Sequence, residues 1–161
     1  MIKNICDLVC SAISKGGAKG DVMSYEDSFD IFFNDYVGED FINFHFEIVG
    51  DPKIVVLSSK LPFGCKKIDM AMATSVINEY LINGSFDFDI KEGSITYRIA
   101  TCWVEEMKDS TSFEYLISKA KEDIKEYGGY LKDIQGDKID FNILHERIFK
   151  KWLIKFAYFV V

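Results

Sequence analysis

The chain has 161 residues, 48% apolar and 15% aromatic, enough to bury the core of one domain without metal or disulfide staples. Its formal charge of −7 repels nucleic-acid phosphates and anionic lipid, which argues against nucleic-acid binding and against stable membrane insertion. The charge is uneven: residues 138–161 hold five Lys/Arg and two acids, a net of +3, which leaves −10 on the remainder.

The longest uncharged run, residues 70–78, is nine residues long. A membrane span needs about 20 apolar residues. The apolar N-terminus is interrupted by Asp7 and lacks a small-residue cleavage site, so no signal peptide is expected and the protein is placed in the cytoplasm. Cys6, Cys10, Cys65 and Cys102 form no CxxC pair and are read as free thiols of a reducing compartment.

Residues 2–14 space Ile2, Ile5, Cys6, Val9, Ala12 and Ile13 as the apolar stripe of a helix, and Gly16, Gly17 and Gly20 end it and open a flexible loop. Three strands follow. Phe29, Ile31 and Phe33 alternate with Asp30, Phe32 and Asn34. After the turn at residues 37–40, Ile42, Phe44, Phe46 and Ile48 alternate with Asn43, His45 and Glu47. Gly50-Asp51-Pro52 turns the chain into Ile54-Val55-Val56-Leu57, which Leu61-Pro62 closes.

Residues 66–83 return to helical period, with Ile68, Met72, Val76, Ile77, Tyr80 and Leu81 in one stripe and Asn83-Gly84 as the stop. A hairpin comes next: Phe86, Phe88 and Ile90, a turn at Glu92-Gly93, then Ile95, Tyr97 and Ile99. Thr111-Ser112-Phe113-Glu114 reads as the capping box of a third helix, which Gly128-Gly129 end. A last helix places Phe141, Leu144, Ile148, Trp152, Phe156 and Phe159 at spacings of three and four. The expected fold is α+β: a five-stranded antiparallel sheet with packed helices, in the order α-β-β-β-α-β-β-α plus a C-terminal helix, as a single domain over residues 1–161.

This order, with Leu61-Pro62, the helix end Ile77-Asn78-Glu79-Tyr80-Leu81-Ile82-Asn83 and the hairpin Phe86-Asp87-Phe88-Asp89-Ile90-Lys91-Glu92-Gly93-Ser94-Ile95-Thr96-Tyr97, resembles the type III secretion chaperone-like fold and its YbjN-type sensory transduction regulators. The resemblance covers residues 1–131. It implies a small, acidic, non-enzymatic protein that dimerises and holds an extended partner segment against its surface. The helix over residues 138–161 lies outside the shared core.

Each candidate for chemistry has a plainer structural reading. Cys6 and Cys10 stand four apart on a helix but lack the further ligands of a metal site, so they read as core. His45 lies opposite Phe44 and Phe46 on the wet side of its strand, and His145 neighbours Glu146. The glycines of residues 16–20 follow a helix, whereas a phosphate loop follows a strand. Asp87 and Asp89 fall on one solvent-facing strand face.

No catalytic residue, cofactor or metal is therefore expected. The candidate site is the apolar end of the last helix, with Trp152, Leu153, Phe156 and Phe159 as partner-binding residues and a protein partner or a second copy as occupant. The expected function is that of a non-catalytic, chaperone-like or regulatory binding module. An acidic immunity-type protein that masks a basic toxin is the alternative, and a small enzyme is a third reading.

Overall fold

The computed structural model describes residues 2–157, with side chains as far as residue 154. The chain forms α1 (Ile2–Lys15), β1 (Asp21–Ser24), β2 (Ser28–Val37), β3 (Asp40–Val49), β4 (Ile54–Lys60), α2 (Ile68–Tyr80), β5 (Ser85–Asp89), β6 (Ser94–Cys102), α3 (Thr111–Gln135) and α4 (Phe141–Ala157). The class is α+β, as the alternation predicts. The strands make one antiparallel sheet in the order β1-β2-β3-β4-β6-β5.

The sheet has six strands where the sequence predicts five. The added strand is β1, in the segment read as flexible loop. All four of its residues are exposed, so it carries no alternation of buried and wet positions. Pairing with β2 makes it a strand; burial does not. The preceding glycines have separate tasks. Gly17 takes a positive φ of 83°, and the N–H groups of Gly17 and Ala18 reach the carbonyls of Ser14 and Ile13, closing α1 in a Schellman motif. A Cβ on Gly20 would come within 2.7 Å of Ile31 Cγ2, so only glycine lets the chain pass this close to β2.

Alternation sorts the strand side chains onto two faces. Ile42, Phe44, Phe46 and Ile48 of β3 are fully buried, as are Ile31, Val55, Leu57, Ile95 and Tyr97 on β2, β4 and β6. Phe33 stacks on Phe44 at 5.1 Å across the β2–β3 pair. Helices α1 and α3 pack on this face, with Ile5, Val9, Ile13, Phe113, Leu116 and Ile124 pointing into it. The other face stays open to solvent and carries Asn43, Glu47 and Arg98.

Helix α3 runs to Gln135, straight through Gly128-Gly129, where the sequence predicts a stop. A Cβ on Gly128 would sit 3.2 Å from the Phe63 ring, so this glycine serves a close approach. The helix ends instead at Gly136. Asp137 takes φ 55°, its N–H reaches the carbonyl of Ile134, and the N–H of Lys138 reaches that of Asp133. The capping box also differs from the prediction. The N-cap is Ser110, whose hydroxyl donates to Glu114 Oε1 at 2.6 Å, while the Thr111 N–H is taken by Asp109 Oδ1.

The edge strand β5 is sealed by one side chain. Asn78 of α2 accepts the Phe86 N–H through Oδ1 at 2.8 Å and donates through Nδ2 to the Phe86 carbonyl at 3.1 Å. The amide takes the place of a neighbouring strand. Asn78→Ala removes both bonds and should lower stability by roughly 1–3 kcal/mol, the range for unpairing buried polar groups, measured by urea unfolding at constant m-value.

Candidate partner-binding surface

Helix α4 begins where Asp140 Oδ1 accepts the Ile143 N–H at 2.9 Å, an N-cap that fixes the helix start. Leu144 and Ile148 then fall on its inner face, at 0% and 2% exposure, and pack into the same core as the sheet. Helix α4 lies against α2, and Lys151 Nζ reaches Glu126 Oε1 of α3 at 3.0 Å. Trp152 stands edge-on to Tyr80, ring centroids 5.9 Å apart. The helix is therefore docked on its own subunit along one side.

Its other side is not covered by any described residue. Phe149 is 43% exposed, Leu153 47% and Ile154 61%. Successive residues turn about 100° round a helix, which separates half-buried Trp152 from exposed Leu153. The Glu146–Lys150 ion pair, 2.6 Å, lies between the Phe149/Leu153 and Ile143/Ile154 pairs. Beside this surface, Ala71, Met72, Ser75 and Val76 of α2 and Phe141 of α4 line a shallow, mostly apolar depression of about 320 Å³.

Of the four residues predicted to bind a partner, Leu153 lies on the open side and Trp152 at the boundary with the core. The Phe156 side chain and all of Phe159 lie outside the described residues. The sequence places the terminal apolar residues in one cluster, whereas among the described ones helical geometry sets Trp152 towards the core and Leu153 towards solvent. Ile143, Phe149 and Ile154 were missed, although the same 100° count picks them out.

The other candidates are bound into the fold. His45 Nε2 lies 2.9 Å from Asp30 Oδ1 and its ring stacks on Phe32 at 4.5 Å, so the orienting carboxylate comes from the neighbouring strand. Asp89 Oδ1 accepts the N–H groups of Lys91 and Glu92 and shapes the β5–β6 turn, and Asp87 faces Arg98 at 3.6 Å. Cys6 is buried, and burial, with the neighbouring Cys10 adding to it, pushes the Cys6 thiol up to about 12. Among the described residues, no group of three or more His, Cys, Asp or Glu is placed to hold a metal ion.

One polar pair escaped the sequence reading. Asp123 is 2% exposed on the inner face of α3, accepts the Tyr97 hydroxyl at 2.7 Å and faces Lys119. Burial, then the bond to Asp123, pushes the Tyr97 phenol far above its ordinary value. Its signal was an acid at the next helical step after Ala120. The pair ties α3 to β6.

No helix among the described residues is long and apolar enough to cross a membrane. No protein-family model, curated protein or solved structure matches the chain.

Leu144→Ala should cost about 2–5 kcal/mol and Leu153→Ala less than about 0.5 kcal/mol, compared by chemical unfolding. A thiol reagent at pH 8 should label exposed Cys102 at once and Cys6 only on unfolding. Because burial raises the Cys6 thiol, its contribution to stability is complete below about pH 9 and is lost as pH rises towards 12, with the unfolding midpoint falling over that window.

Proposed function

We propose that this protein is a non-catalytic, chaperone-like or regulatory binding module of the cytoplasm that holds an apolar segment of another protein on the outer side of α4. The observation that carries this reading is two exposed apolar pairs, Phe149/Leu153 and Ile143/Ile154, on a helix whose opposite side is docked. An apolar surface of this kind stays in water at a free-energy cost unless something covers it. Exposed Arg147 stands beside Ile143 and Ile154, and the Glu146–Lys150 pair separates the two strips, so the segment that fits is apolar with an acidic residue on one flank.

The resemblance to the type III secretion chaperone-like fold and its YbjN-type regulators supports the same class of function. Apart from β1, the order from α1 to α3 is the one on which that resemblance rests. A second reading draws on the acidic body. Asp21, Glu47, Asp87 and Asp89 are exposed on the sheet, which suits an immunity-type protein that masks a basic toxin.

A photo-crosslinking residue at Leu153, with one at Ala100 on the open sheet face as control, tests the proposal in cells. Adducts at Leu153 that mass spectrometry identifies as one recurrent protein, and that Ile154→Glu reduces at least tenfold, are expected. Adducts confined to Ala100, weakening steeply with added salt, would transfer the function to the acidic face. No adduct above background at either position would sink both readings.

A further inference from the structure

The chain has two histidines, and the fold holds only one of them. His45 is tied to Asp30 and stacked on Phe32. His145 is exposed on α4 and, among the described residues, makes no hydrogen bond or ion pair. Its contacts are with two rings, Phe141 at 6.1 Å and Phe149 at 6.5 Å, the latter with its plane 1° from that of the imidazole. Side chains four apart on a helix are neighbours, so Phe141, His145, Phe149 and Leu153 make one continuous row. The imidazole is the polar member of an otherwise apolar row.

We propose that His145 makes capture of an apolar segment at α4 depend on pH, the neutral imidazole admitting the segment and the imidazolium excluding it. The proposal rests on the role of α4 given above and adds its regulation. Phe141 lines the depression beside α2, and Phe149 and Leu153 form the exposed strip. A segment that reaches from one to the other crosses His145 and takes its ring out of water. Histidine is the side chain whose charge ordinarily changes between about pH 5 and 8. As neutral imidazole it extends the apolar row. As imidazolium it is buried without a partner, and an unpaired buried charge is costly.

Among the described residues, no carboxylate is placed to relieve that cost. On α4 itself, Glu146 is held by Lys150 at 2.6 Å, and Arg147, Lys150 and Lys151 add positive charge. From α3, Glu126 is held by Lys151 at 3.0 Å. Asp69 and Glu79 of α2, the helix packed on α4, make no ion pair with His145. The acidic flank of the segment stays away too, because Arg147 stands about 200° round the helix from His145. Binding therefore releases a proton, and acid opposes it.

The test uses the full chain with the photo-crosslinking residue at Leu153, in clarified cell extract buffered at about pH 7.5 or about pH 5.8. Adducts with the recurrent protein should fall about fivefold at the lower pH, the change expected when only the neutral form of a histidine binds. His145→Phe should give equal adducts at the two pH values, and His145→Lys should give few at either. His45→Asn should keep the fivefold difference. Circular dichroism of each purified variant should be the same at both pH values, which separates loss of binding from loss of fold. Equal adducts at both pH values without a histidine substitution, or a fivefold fall that persists in His145→Phe, would overturn the pH dependence and leave the role of α4 standing. No adduct at either pH would remove that role and this proposal with it.

Discussion

A sheet that buries only one face governs the rest of this molecule. On β3 every second side chain is apolar and fully buried, and the residues between them meet water. A one-residue slip would exchange the two sets, so the register is fixed by burial. The helices must then share one side of the sheet, which gives two layers and one open face. A single-faced sheet also keeps two edges. One is closed by the Asn78 amide and the other is short, as natural edges are when they are kept from indiscriminate pairing.

Helix α3 holds the covering layer to the sheet. It spans 25 residues and meets α1, α2 and the central strands. Most of its inner stripe is apolar, but Asp123 breaks it. A lone buried carboxylate would be costly; the Tyr97 hydroxyl and the Lys119 ammonium offset that cost. The pair gives the α3–β6 contact a direction that apolar packing alone does not. Gly128 acts in the same layer, since its missing side chain lets the helix settle on the Phe63 ring.

Where burial dictates structure, the sequence is legible. The alternation over residues 42–48 and the stripe Phe113, Leu116, Ala120 and Ile124 name the strand, the helix and the buried side chains of each. The failures share one cause, which is that the deciding partner lies on another element. Strand β1 exists because β2 is beside it. Gly128-Gly129 looks like a stop until Phe63, some 65 residues earlier, is placed against it. The orienting carboxylate of His45 arrives on β2. At α4, periodicity identified Leu144 and Ile148 as inward, but composition tempted a reading of the terminal apolar residues as one patch. The 100° step per residue divides them.

The two surfaces left uncovered differ in what they can recognise. The outer side of α4 satisfies its own backbone, so only side chains are on offer: an aromatic, two aliphatics and neighbouring cations. Such a surface discriminates by shape and by the sign of the charges at its rim. The edge of β1 offers the reverse. Its backbone groups are common to every chain, and pairing to them carries little selectivity. Selectivity there must come from length and charge, and both are restrictive: four residues allow few registers, and the acids around the strand penalise those that bring like charges together.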